Sequence, residues 1–233
     1  MDKKVKLGIA NSVWYSNIYN VEQSFANKIT TYYDGVVTGL DFRDVSSKNK
    51  INNWVENKTN GRIKDLINNI SRDEVMFLVN AIYFKGDWTY QFDKSKTKKA
   101  SFKKINGTTT PVDMMFSSGV KMLHYYTNST RLLDIPYGNK QFSLTLLVPD
   151  NPEHITDLVS SLDMETFNYW LSQADSLKPE FEMPKFKMTW KDDLLKNLSA
   201  MGMPIAGFPN LFEENIDLAI SRVIHQSFLD INE

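Results

Sequence analysis

The stretch VNAIYFKGDW, Val79 to Trp88, decides how this chain is read. From Val75 to Phe84 every residue is apolar except Asn80. A run of that length, rich in Val, Ile, Tyr and Phe, predicts a strand covered on both faces. An asparagine there costs free energy unless something pairs with it. A second run, SRVIHQSFLDIN at 221 to 232, has the same peculiarity: Val223, Ile224, Phe228, Leu229 and Ile231 are expected to be buried, with His225 among them. If the two strands are neighbours, amide and imidazole can satisfy each other. A net hydrogen bond contributes about 0.5–1.5 kcal/mol, whereas an unpaired buried group costs about 1–3 kcal/mol. The alternative is that each finds its own backbone or water partner, and both readings stand at this level.

Working outward, 7 to 16 and 36 to 42 read as strands. The segment 20 to 35 reads as a helix with Phe25, Ile29, Tyr32 and Tyr33 on one face. Residues 45 to 61 predict an amphipathic helix with Ser47 as cap, Ile51, Trp54 and Val55 as its apolar face, and Asn60-Gly61 as its stop. A short helical turn, IKDLINNIS, precedes the opening stretch. From 98 to 150 the pattern changes to closely spaced strands separated by Asn-Gly, Ser-Gly, Asn-Ser and Tyr-Gly-Asn turns. Two helices follow, then a strand at 180 to 190 interrupted by Pro184, which argues for an edge, a bulge or a change of sheet. A helix ending at Gly202 leads to the last strand. The expectation is one mixed α+β domain over 1–233 with several sheets.

The composition narrows the function classes. The chain has 233 residues, a net charge of −1 and no cysteine. Thiolate metal sites, disulfides and cysteine nucleophiles are therefore absent, and no bulk charge attracts nucleic acid or an acidic membrane. No apolar run approaches the roughly 18 residues of a membrane span, and the first residues lack the pattern of a signal peptide. Asn57, Asn69, Asn106, Asn128 and Asn197 head Asn-x-Ser/Thr triplets, which in so Asn-rich a chain read as chance matches. No G-x-S-x-G or H-E-x-x-H occurs, and His124, His154 and His225 lack metal-ligand spacing. No catalytic residue, metal or cofactor is assigned. The lysine run at 94, 96, 98, 99, 103 and 104 reads as a solvated strand rather than a polyanion site.

VNAIYFKGDW and the preceding NWVENKTNGRIKDLI resemble the serpin family. The likeness continues in order through FDKSKTKKASF, VDMMF, LLDIPYG, FSLTLLVPD, MPKFKMTW, LLKNLSAMGM and VIHQSFLDINE. The resemblance implies a fold of three β-sheets with surrounding helices, and inhibition of serine or, in some members, cysteine proteases. The mechanism it implies is a suicide one: an exposed loop is cleaved and then inserts as a new strand into the large sheet A. By resemblance the strands that part are 75 to 88 and 221 to 233. Asn80 and His225 match the shutter, where the sheet opens; Trp88, Lys185 and Glu233 match the breach, where insertion starts.

The same resemblance places residue 1 at the second strand of sheet A and Glu233 just before the hinge. It leaves the opening helices, the reactive bond and the closing strands outside these residues. The 233 residues alone are accordingly expected to be inactive and prone to self-association through open sheet edges. Gln91-Phe92, and PIAGFPN after Met203, depart from the family pattern. A target protease is the implied partner, with no nucleic acid and no membrane, and the family favours an extracellular location. A non-inhibitory serpin (carrier, chaperone or storage protein) is the alternative.

Overall fold

In a computed structural model, residues 2–127, 129–208, 210–214, 217–220 and 222–233 are described. Asn128, which heads one of the triplets, and Ser221 of the last predicted strand lie outside them. The chain runs β1 (Val5–Ser16), α1 (Gln23–Tyr33), β2 (Val36–Leu40), α2 (Val45–Lys58), β3 (Met76–Gly86), β4 (Lys98–Lys103), β5 (Thr109–Ser117), β6 (Met122–Tyr126), β7 (Thr130–Tyr137) and β8 (Phe142–Pro149). It continues through α3 (Ile155–Ser161), α4 (Met164–Ser172), β9 (Asp175–Leu177), β10 (Phe181–Pro184), β11 (Phe186–Asp193), α5 (Leu195–Ala200) and β12 (Ile224–Ile231).

Hydrogen bonds join the described strands into four sheets, ordered β2-β1-β3, β10-β5-β4, β11-β12 and β8-β7-β6-β9. The expected count was three. The difference lies at β3 and β12, which each end a separate ladder instead of sharing one. Pro184 marks a change of sheet: β10 pairs with β5, and two residues later β11 pairs with β12.

The chain divides into two compact units. One comprises residues 1–6, 85–187 and 229–233; the other comprises 7–84 and 188–228. Four strands, β1, β3, β11 and β12, contribute residues to both. The core of the first unit gathers Val5, Trp88, Phe92, Met115, Met122, Ile135, Tyr137, Met183 and Ile231. In the second, α2 lays Ile51 and Val55 against Trp14 and Leu40, with Ile63, Leu66, Ile67 and Val79 closing the cluster. The indoles of Trp14 and Trp54 meet edge to face with centroids 6.0 Å apart.

Local details depart from the sequence reading for identifiable reasons. The cap of α2 is Asp44, whose side chain accepts from Ser46 N at 2.8 Å; Ser47 is buried and donates to the Asp41 carbonyl instead. Residues 63–70 form no helix. The Asn52 side chain takes their central peptide groups: Ile67 N donates to Oδ1 at 2.9 Å and Nδ2 donates to Ile67 O at 2.8 Å. A buried side-chain amide thus replaces the hydrogen bonds a helical turn makes for itself. On α1, Tyr32 and Tyr33 are exposed rather than facing a core.

The strand expected to be covered on both faces is covered on one. Val79 and Ala81 are buried, while Leu78, Asn80 and Ile82 are exposed. On β12 the expected burial is met fully at Ile231; Ile224 and Phe228 are half-buried, and His225 and Leu229 are exposed. Alternation of this kind is the pattern of a one-sided sheet.

Candidate functional site

The three residues assigned to the breach come together at the ends of β3 and β12. After β3 the chain is held on both sides by backbone bonds: Asp87 N donates to Lys4 O at 2.9 Å, Gly138 N to Asp87 O at 2.8 Å, and Thr89 N to Pro136 O at 2.9 Å. These turn the Trp88 side chain into the core, where its ring stacks on Tyr137 with centroids 4.4 Å apart and planes 13° apart. Phe92 meets the same indole edge to face at 5.9 Å. The indole N–H finds its acceptor in the backbone: Nε1 donates to Asn232 O at 2.7 Å. Trp88 is therefore both core packing and a tie to the end of the last strand.

Glu233, the next residue, turns its carboxylate inward. Lys185 Nζ donates to Oε2 at 2.7 Å, and Thr97 Oγ1 donates to Oε1 at 3.0 Å. The Glu233 side chain is 6% exposed and that of Lys185 40%, so the acid is the sheltered partner. The lysine sits where the chain changes sheet and is anchored by its own N–H to Asp113 O at 2.8 Å. The Lys185 ammonium, followed by a backbone bond at Glu233 itself and the Thr97 hydroxyl, pulls the Glu233 carboxyl from 4.5 down to about 2. Lys185 is raised in turn, chiefly by its hydrogen bond to Glu233. Burial pushes the Tyr137 phenol up to about 12. A carboxylate this acidic holds its charge near neutral pH and serves as a fixed acceptor rather than a proton donor.

Asn80 and His225 are not brought into a hydrogen bond. Asn80 Nδ2 donates to Asn11 Oδ1 on β1 at 2.8 Å, and Asn11 Nδ2 donates to the Tyr33 carbonyl at 2.7 Å. The His225 ring lies against Trp190 of β11, with centroids 5.7 Å apart. Asn80 bonds to the neighbour on its own ladder and His225 packs on the neighbour on its own, because β3 and β12 belong to different sheets. The amide–imidazole pairing is corrected accordingly, and since Asn80 is exposed, the cost that made a partner obligatory does not arise.

Thr97, Tyr137, Asn232 and Asn11 were not singled out from sequence. Asn232 adjoins Glu233, which was a signal; Thr97 and Tyr137 carry none, since their roles arise from long-range packing. Among the described residues, no group of three or more His, Asp or Glu is placed to hold a metal ion, and no helix is long and apolar enough to cross a membrane.

The geometry defines a class first: a mixed α+β protein in which two long strands each stand last in the order of their described sheet, with an indole joining their ends and an ion pair fastening the last residue to the chain between β10 and β11. The serpin family model, described as "Serpin (serine protease inhibitor)", matches residues 1–233, and the chain belongs to that family. An uncharacterized serpin-like protein of Methanosarcina mazei is 33% identical over 98% of this chain and 55% of its own length. The structure of emu (Dromaius novaehollandiae) ovalbumin superposes with a TM-score of 0.92 at 26% identity, covering 100% of this chain and 63% of that one. Human thyroxine-binding globulin, in complex with its hormone, gives 0.89 at 28% identity, covering 100% and 64%. The chain thus spans a little over half to about two thirds of the length of these proteins. The fold reading and the family resemblance hold on the family model and the solved structures, although the Asn80–His225 pairing on which the sequence reading hung does not form and the two strands lie in different sheets.

Proposed function

We propose that the protein containing these residues is a serpin-type inhibitor of proteases, chiefly serine proteases, acting by insertion of a cleaved loop between β3 and β12. One observation carries this reading: among the described strands, β3 and β12 each stand at the end of their own sheet's order, β3 beside β1 and β12 beside β11. Backbone groups left without a ladder partner favour the addition of a strand. In this reading Trp88, Lys185 and Glu233 mark where entry begins, and Asn80 and His225 lie on the two strands that part. The two units act as one domain, which the four strands shared between them support. The protein binds its protease as a substrate and turns over no substrate of its own. Extracellular location follows the family.

The test is to express the gene product that includes these residues and mix it with trypsin-like, chymotrypsin-like and subtilisin-like proteases and with papain. Inhibition predicts a covalent complex that survives denaturing electrophoresis with at least one of them. Clean cleavage by all of them, with no complex, contradicts it. The resemblance to thyroxine-binding globulin favours one other reading, a carrier serpin. Saturable binding of a small apolar ligand, without any protease complex, is the outcome that supports it.

A further inference from the structure

We propose that Glu74 and Arg222 form a latch that holds the starts of β3 and β12 together and sets how far a strand can enter between them. The inference rests on the insertion reading above. Glu74 stands two residues before β3, and Arg222 stands two residues before β12. They are 148 residues apart in sequence, yet Arg222 Nε donates to Glu74 Oε1 at 2.7 Å, and Arg222 Nη2 donates to the same oxygen. The Glu74 side chain is 7% exposed and that of Arg222 is 29%. Each partner is also held to the backbone: Ser71 N donates to Glu74 Oε2 at 2.6 Å, and Arg222 Nη2 donates to Asn69 O at 3.2 Å. A sheltered arginine–carboxylate pair with such supporting bonds is the strong kind of charged contact.

Its position gives the pair its role. Asp193 accepts from both Val223 N and Leu195 N at 3.0 Å, which fastens the start of β12 to the end of β11. On the other side, Ser16 N donates to Val75 O at 2.9 Å, which fastens the start of β3 to the end of β1. Each strand is therefore secured to its own ladder, and among the described residues no ladder joins the two. The Glu74–Arg222 pair crosses from one to the other. Glu74 also lines a cleft of about 560 Å³ bordered by Tyr19, Phe42, Ile70 and the exposed Arg43 and Arg72. If the pair parts, the Glu74 carboxylate has that cleft to face, and the Arg222 guanidinium is already partly open to solvent. Such a pair can release without stranding an ion in the core, as a latch requires.

Hydrogen exchange on the 233-residue chain tests this. In Arg222→Gln, amides at 75–79 and 223–227 are expected to exchange about tenfold faster or more, while those of α2 keep their protection. Arg222→Lys, which keeps the charge, is expected to restore most of the loss. Unchanged exchange at both strand starts, or equal loss of protection throughout the second unit, overturns the latch; the latter reveals a general stabilising contact. A strand-like peptide added to the same variants separates the two readings. Faster uptake by Arg222→Gln than by the parent supports the latch. Uptake by the parent at an undiminished rate relative to the variant contradicts the latch alone. Absence of uptake by both contradicts the insertion reading.

Discussion

The indole Nε1 of Trp88 donates to the carbonyl oxygen of Asn232 at 2.7 Å, across 144 residues of sequence. This bond ties the chain two residues past β3 to the residue that follows β12. Replacing Trp88 with Phe keeps an aromatic ring over Tyr137 and leaves the Asn232 carbonyl without its donor. The expected cost of the lost bond is about 0.5–1.5 kcal/mol, the net worth of one hydrogen bond, because the Asn232 carbonyl is only partly sheltered. Urea unfolding of the parent and variant measures it, and an unchanged midpoint refutes the tie.

Glu233 gives the fold an acid-sensitive joint. Its folded carboxyl lies at about 2 against an ordinary 4.5, so the native state prefers the ionised form. A depressed acid contributes stability that is present above its unfolded value and lost as pH falls through the folded one. Between about pH 4.5 and 2 the parent is expected to lose stability more steeply than Glu233→Gln, with the two curves converging at the acid end. Thermal melts across that range check it. Parallel curves contradict the assignment.

Asn80 is expected to couple to Asn11 and not to His225. A double-mutant cycle on Asn80→Ala and Asn11→Ala predicts a coupling of about 0.5–1.5 kcal/mol, the net worth of one hydrogen bond. The cycle on Asn80→Ala and His225→Ala predicts additivity in the resting protein. Coupling in the second cycle and none in the first reverses the correction.

Gln226, on β12 beside His225, carries a buried side-chain oxygen with no hydrogen-bond partner among the described residues. An acceptor left in that state costs about 1–3 kcal/mol. Gln226→Met removes it while keeping the length of the side chain, and is expected to raise the melting temperature. A lower melting temperature shows that the oxygen has a partner.

Much of the architecture was legible in the residues. The alternation from 98 to 150, the Pro184 sheet change and the buried face of α2 at Ile51 and Val55 all follow from local pattern and turn chemistry. Two features differ from the sequence reading, each for its own reason. A continuous apolar run does not say how many faces are covered, so β3 was expected to be buried on both and is open on one. The helical turn at 63–70 was misjudged because Asn52 supplies the hydrogen bonds from another element, which no local window contains. In the site, Trp88, Lys185 and Glu233 were found through the family likeness. Glu74 and Arg222 have no signature, since an ion pair across 148 residues leaves none in a single sequence.

The central claim is that β3 and β12 are facing edges awaiting a strand. The most direct measurement is hydrogen exchange of the 233-residue chain with and without an acetylated peptide of about a dozen small and β-branched residues, the length a strand needs to run beside them. The account predicts that the peptide raises the melting temperature and slows exchange at amides along both β3 and β12. Binding that protects neither strand, or that protects one of them alone, contradicts it.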